Sequence, residues 1–168
     1  MSDNQISKQN TKLGFIGLGL MGSRFFRRLH AEGWTIRGWN RTQSATLLLK
    51  RDGLIIAESL ADMVHGSQLL LSSLGNDDAV RAVYLGENGV FANAQPETIV
   101  LEMSTISPDV SALLHEESKK RRMHLIDLPV SDRPRPLRRA RSRCSEEASR
   151  RYSTVVFLSL SRSQSSGT

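Results

Sequence analysis

Apolar positions in the first three quarters of the chain follow two rhythms. Largely apolar runs at 12–17 (KLGFIG), 34–39 (WTIRGW), 54–57, 68–74, 98–103 and 123–128 have the length of strands. Such runs suit strands covered on both faces, as parallel sheets require. Between them apolar residues return at helical spacing: Met21, Phe25, Phe26 and Leu29 recur within 20–32, with Arg24, Arg27 and Arg28 between them and Gly33 as a stop. The four apolar residues read most simply as core. Further helices are predicted over 42–51, closed by Asp52 and Gly53, over 59–65, from Asp77 and Asp78 to Leu85, and from Ser107 and Pro108 to Arg122. Acids in a first turn meet the positive end of the helix dipole, and proline fits there because its missing N–H has no partner to lose. Strands alternating with helices predict an α/β fold, a Rossmann-type doubly wound parallel sheet.

The pattern stops after Ser131. Residues 132–143 (DRPRPLRRARSR) have no apolar periodicity, and only 152–160 (YSTVVFLSL) resembles a strand. Charge divides at the same place. The net charge is +6, yet residues 1–131 hold fourteen Lys or Arg against fourteen Asp or Glu, while 132–168 hold nine Arg, no Lys and three acids beside nine serines. The excess positive charge therefore belongs to a tail on which no fold is imposed, expected to be irregular, aberrant or disordered.

The first chemistry-bearing signal is Gly17, Gly19 and Gly22, a G-x-G-x-x-G placed directly after a predicted strand and before a predicted helix. The first glycine permits a tight turn, the second lets the backbone approach a pyrophosphate, and the third allows close packing of helix on strand. Unpaired N–H groups of the helix N-terminus then face the phosphates. A structural glycine turn is the competing reading, and the strand–helix setting favours dinucleotide binding. About 20 residues on, an NAD site places an acid for the ribose 2′-OH. Here the second strand runs into Asn40, Arg41 and Thr42. Arg41 suits a 2′-phosphate, with Asn40 and Thr42 as further donors, so NADP is expected and NAD less so. Alternatively, Arg41 is an exposed turn residue and Thr42 a helix cap.

GFIGLGLMG (14–22), the NRT at 40–42, EMSTISP (102–108) and DLPVS (127–131) together resemble the β-hydroxyacid dehydrogenase family, which includes 3-hydroxyisobutyrate, tartronate semialdehyde and 6-phosphogluconate dehydrogenases. The resemblance covers roughly 12–131 and implies only the N-terminal NADP-binding domain. It implies that the glycine loop, Gly17, Leu18, Gly19, Leu20, Met21 and Gly22, contacts the cofactor. Leu74, Gly75 and Asn76 would border it, Ser104 and Thr105 would lie near the nicotinamide, and Ser131 would contact the carboxylate of a small β-hydroxyacid or aldehyde substrate. From the residues alone, all of these positions fall at carboxyl ends of strands, where open α/β sheets collect ligands. Ser104 and Thr105 also admit a simpler role, turning the chain and capping the helix at Pro108.

Two departures bear on activity. Leu128 stands where the family's DAPVSGG motif has alanine, and Asp132 and Arg133 stand where it has two glycines. The lysine-bearing helix and the helical dimer-forming domain of the family are also missing from 132–168, so no catalytic residue is assigned. The expectation is a truncated chain that binds cofactor without appreciable turnover and does not form the family's oligomer. An out-of-frame tail is the expected reason for the abrupt change after Ser131. The expected organisation is a flexible N-terminus at 1–11, a dinucleotide-binding domain at 12–131 and the Arg/Ser-rich tail at 132–168.

Other readings carry less weight. A nucleic-acid-binding protein acting through the tail is the alternative from another class, but one tyrosine and one phenylalanine offer no stacking platform. A non-catalytic cofactor-sensing fragment would share the site. The first eleven residues show no apolar leader and no run nears the ~18 apolar residues of a spanning helix, so a cytoplasmic protein without a membrane partner is expected. Cys144, the only cysteine, leaves no internal disulfide. His30, His65, His115 and His124 lack ligand spacing, so no metal is expected. The basic run 119–122 suits the negative end of a helix dipole.

Overall fold

Among the described residues, six short strands form one sheet in which every neighbouring pair runs parallel: β1 (Leu13–Ile16), β2 (Ile36–Trp39), β3 (Ile55–Ile56), β4 (Leu69–Ser72), β5 (Ile99–Glu102) and β6 (His124–Asp127). The computed structural model describes Lys8 and residues 10–128; Ser131, the tail at 132–168 and the strand-like run at 152–160 lie outside the described residues. The strand order is β3-β2-β1-β4-β5-β6, so the chain builds outward from β1 on one side and then crosses back to build the other. That reversal between β1 and β4 is the switch point at which open α/β sheets form a ligand crevice.

The strands β1, β4 and β5 are buried by helices on both faces, which is why alternation is absent from them, whereas β2 alternates buried and half-buried positions and the edge strand β3 is partly open to solvent. On one face α1 (Leu20–Ala31) and α2 (Leu47–Arg51) contribute Phe26, Leu29 and Leu49 to a core with Phe15, Ile36, Leu71 and Leu101. On the other, α3 (Leu60–His65), α4 (Asp77–Leu85), α5 (Val90–Asn93) and α6 (Pro108–Lys120) bring Met63, Val80, Tyr84, Phe91 and Leu114 against Ile16, Leu70, Val100 and Leu125. Full burial of one such side chain contributes about 1.5–3 kcal/mol, so these two cores are the main source of stability.

The register aligns strand ends. Trp39, Ile16, Ser72, Glu102 and Asp127 form one row across the carboxyl edge. Three of the following helices start with a side-chain cap: Ser59 accepts from the Asp62 N–H, Asn76 from Ala79 and Ser107 from Val110. Helix α1 has none, because its cap position is Gly19.

Some expected elements differ in detail. The helix expected over 42–51 begins as a tight 3-10 turn, Gln43–Thr46, and becomes α-helical only from Leu47. Thr46 explains the delay, since its buried hydroxyl donates to the Gln43 carbonyl and competes with the α-helical pattern. Thr42 occupies the cap position there without a side-chain cap bond. Helix α5 carries no sequence signal, because four residues are too few for a period. Of the four apolar residues expected as the core face of α1, Phe26 and Leu29 are buried, while Met21 and Phe25 are only partly so.

Candidate functional site

The crevice begins at the turn between β1 and α1. Gly17 has φ +89°, a conformation that side chains disfavour, and a Cβ there would fall 2.2 Å from the Ser73 carbonyl oxygen. Its N–H donates to the Trp39 carbonyl at 2.9 Å, which ties the turn to the end of β2. Gly22 faces inward: a Cβ would lie 1.9 Å from the Gly17 carbonyl oxygen and 3.2 Å from the Phe15 ring. Helix and strand therefore touch at a distance only glycine allows. Gly19 differs from both, having ordinary extended backbone (φ −69°, ψ −164°) and no atom within 4 Å of where a Cβ would stand. The open side of the loop is at Gly19, beside an α1 N-terminus with no side-chain cap and no acid in its first turn. Unpaired N–H groups and a positive dipole end make such a terminus an anion site.

The neighbouring loop residues divide into packing and exposed positions. Leu18 is buried and packs toward Gly38, where a Cβ would come within 3.0 Å of it. Leu20 is 74% exposed beside the open turn. At the end of β2, the Asn40 side chain braces the loop: its Oδ1 accepts the Leu18 N–H at 3.0 Å, and its Nδ2 donates to the Thr42 carbonyl at 3.0 Å. Arg41 and Thr42 are exposed, followed by Gln43 and Ser44, two further exposed polar residues at this edge that the sequence reading did not single out. Arg41 makes no hydrogen bond or ion pair to another of the described residues, so its guanidinium is available to a ligand.

Across the switch point, Leu74, Gly75 and Asn76 form the β4–α4 loop. Gly75 and Asn76 are exposed, and the Asn76 side chain caps α4. The loop is tied to the β5–α6 loop twice. The Leu74 N–H donates to Ser104 Oγ at 2.7 Å, and the Ser107 N–H donates to Asp77 Oδ1 at 3.0 Å. The Ser107 bonds hold the Asp77 carboxyl below the usual carboxylate range. Ser104 is buried while Thr105 is exposed at the rim. Sequence reasoning missed the group beneath them: Glu102, 1% exposed, accepts the Ser104 N–H at 2.7 Å and the Ser72 hydroxyl, and Ser72 in turn pairs with the Tyr84 hydroxyl at 2.6 Å. An acid at the end of an otherwise apolar strand was the available signal.

At the end of β6, Asp127 Oδ2 accepts from Ser111 Oγ at 2.7 Å and lies 3.1 Å from His115 Nε2. Burial pushes the Asp127 carboxyl up, but the His115 and Ser111 hydrogen bonds outweigh it, and its pKa falls below the ordinary value. A carboxyl depressed in the folded state contributes stability that is complete above its unfolded pKa of about 4 and is lost as pH falls through the lower folded value. Asp127→Asn is therefore expected to destabilise the domain at pH 7. That deficit should shrink steadily below pH 4 in denaturant melts; a deficit independent of pH would show that the charge is irrelevant.

A groove of about 610 Å³ opens at the opposite end of the sheet, among Lys12, His65, Gln68, Gln95 and Glu97. It lies at the amino ends of β1, β4 and β5, away from the edge where parallel sheets bind ligands. Among the described residues no group of histidine, cysteine, aspartate and glutamate is arranged to hold a metal, and no helix is long and apolar enough to cross a membrane.

Comparison with known proteins agrees with this geometry. Residues 12–138 match the model of the NAD binding domain of 6-phosphogluconate dehydrogenase. The NAD-dependent L-serine dehydrogenase of Pseudomonas aeruginosa is 34% identical over 120 residues, covering 71% of this chain and 40% of that protein. Among solved structures, 3-hydroxyisobutyrate dehydrogenase of Mycobacterium tuberculosis with L-serine superposes with a TM-score of 0.67 at 28% identity, over 72% of this chain and 40% of the other. A structure described as Psf3 in complex with NADP+ and 2-OPP gives a TM-score of 0.68 at 30% identity, over 71% of this chain and 42% of that one. The chain thus spans about 40% of the length of these relatives. It is an NAD(P)-binding domain similar to those of 3-hydroxyisobutyrate dehydrogenase-like oxidoreductases, and it belongs to the family of the 6-phosphogluconate dehydrogenase NAD-binding domain.

Proposed function

We propose that the domain binds NADP(H), in preference to NAD(H), across the carboxyl edge of the sheet. The observation that carries this reading is the contrast among helix starts. Helices α3, α4 and α6 close their N-terminus with a side chain, and the short α2 and α5, which have no such cap, start at the buried Thr46 and at Gly89, where a Cβ would lie 2.6 Å from the Val83 carbonyl oxygen; α1 leaves its start open behind Gly19, where a Cβ would meet nothing. A diphosphate fits there, with its charge on the α1 dipole and its oxygens on backbone N–H groups. The adenosine half then lies over β1 and β2. There no acid waits for a ribose 2′-OH, and Arg41, Thr42, Gln43 and Ser44 offer a cation and donors instead. The nicotinamide half lies over β4 and β5, bordered by Leu74, Ser104 and Thr105.

The nicotinamide, when bound, supplies hydride chemistry. In this reading the chain's own residues bind and orient it, and the reaction served is oxidation or reduction of a small β-hydroxyacid or the matching aldehyde. A titration followed by NADPH and NADH fluorescence tests the cofactor choice; NADPH should bind at least about tenfold tighter, the worth of one charge-assisted hydrogen bond. NADPH at 100 times its dissociation constant should also stabilise the fold by about 2.7 kcal/mol in a thermal melt. Equal affinity for the two cofactors would remove the NADP assignment, and no shift with either would remove the binding reading.

A further inference from the structure

Beneath the crevice, a buried polar chain joins the ends of two strands to a helix. It runs from the Tyr84 hydroxyl on α4 to Ser72 at the end of β4, to both oxygens of Glu102 at the end of β5, then to Ser104, whose N–H is held by Glu102 and whose Oγ holds the Leu74 N–H. Ser72 and Tyr84 are 0% exposed, Glu102 is 1% and Ser104 is 6%. Taking a carboxyl and three hydroxyls out of water is costly unless every group is bonded, and a hydrophobic residue in the same row would fill the space without that cost. The neighbouring position in the row shows this, since Ile16 stands beside Ser72. Burial and the Glu102 carboxyl together drive the Tyr84 hydroxyl's pKa well above its ordinary range, so the phenol stays protonated as the end of the chain.

What this buried chain reaches is the geometry of the site. Ser73 and Leu74 lean directly on the phosphate turn: a Cβ on Gly17 would sit 2.2 Å from the Ser73 carbonyl oxygen and 3.0 Å from Leu74 Cδ2. Through Ser104, Glu102 thus fixes the Leu74 amide and with it one wall of the β4–β5 half, while the glycine turn keeps its own tie, the Gly17 N–H on the Trp39 carbonyl. We infer that Glu102 is a positioning residue that holds the β4–α4 and β5–α6 loops in the arrangement needed by the nicotinamide half of the dinucleotide. This rests on the cofactor reading given above. The adenosine half is held by a separate brace, Asn40 on Leu18, and does not depend on Glu102.

The test compares two ligands on the full chain. Adenosine 2′,5′-bisphosphate carries the adenosine half alone, and NADPH carries both halves. Glu102→Leu removes both acceptors at similar volume and should weaken NADPH about tenfold while leaving the bisphosphate within about twofold. Glu102→Gln should recover NADPH binding to within about threefold, because its amide oxygen accepts the Ser104 N–H and its NH₂ donates to Ser72. Ser104→Ala cuts the same path with a smaller change to the core, and should reproduce the selective loss even where the leucine variant fails to fold. Loss of both ligands in equal measure, or wild-type NADPH binding by both Glu102→Leu and Ser104→Ala, overturns the positioning role. If the wild-type chain binds neither ligand, the cofactor reading itself is wrong and the positioning role falls with it.

Discussion

Gly19→Ala is expected to weaken dinucleotide binding about 100-fold at unchanged stability, whereas Gly17→Ala and Gly22→Ala are expected to damage the fold. The three glycines belong to one motif, but a methyl group meets a different fate at each. At Gly17 it adopts φ +89° and collides with the Ser73 carbonyl. Left-handed backbone costs about 1–2 kcal/mol for a residue with a Cβ, and overpacking a backbone contact about 1–3 more. At Gly22 the helix would gain up to about 1 kcal/mol in propensity. That gain is overwhelmed, because a Cβ 1.9 Å from the Gly17 carbonyl oxygen must push α1 off β1. Both variants should melt roughly 5–15 °C lower, as destabilisation of a few kcal/mol implies for a domain of this size.

At Gly19 the backbone already suits alanine and the surrounding space is empty. Alanine is a poorer helix cap than glycine by about 0.5–1 kcal/mol, but it also restricts the unfolded chain by a similar amount, and the two nearly cancel. The methyl instead occupies the approach to the α1 N-terminus. Losing one or two charge-assisted hydrogen bonds to the diphosphate should weaken binding about 100-fold. Thermal melts together with NADPH titrations of the three variants check this. Wild-type affinity in Gly19→Ala would mean the diphosphate does not lie on this loop.

How much of this could be read from the chain follows from where the interactions lie in sequence. The glycine loop is a local object: Gly17, Gly19 and Gly22 act within one turn and its adjoining strand and helix, so spacing alone predicts their division of labour. The parallel sheet is legible because burial of β1, β4 and β5 on both faces writes largely apolar runs there. Glu102 was not legible as a positioning residue. Ser104 is a local partner, but Ser72, and through Ser104 the Leu74 amide, are brought in by the pairing of β4 with β5, across 30 residues, and only register brings them together. Asn40 shows the same limit at shorter range. Its position beyond β2 suggested a donor toward the ligand, but the Leu18 N–H and the Thr42 carbonyl engage both ends of its amide. The delayed start of α2 was hidden because Thr46 acts through a single hydroxyl, which leaves the apolar spacing intact.

Arg41→Ala should separate the two cofactors. Arg41 is exposed and unpaired among the described residues, so its removal costs the fold nothing beyond the ±0.5 kcal/mol typical of such surface changes. A guanidinium on a 2′-phosphate makes two charge-assisted bonds in a fixed fork, each worth about 1.5–3 kcal/mol. At this solvent-exposed edge screening and side-chain ordering leave only about 1.4–2.8 kcal/mol of that sum, so NADPH affinity should fall about 10–100-fold, while NADH, which has no 2′-phosphate, should change by less than about threefold. Arg41→Lys should recover only part of the loss, because an ammonium is a point charge without the fork. The wild-type preference should also narrow as salt rises from 0.05 to 0.5 M, since this edge is open to solvent and the screening length falls from above ~10 Å to below ~8 Å across that range. An equal loss for NADPH and NADH would place Arg41 on a part common to both cofactors. No loss for either would leave the missing acid after β2 without a functional meaning, and the discrimination would have to come from Thr42, Gln43 and Ser44 instead.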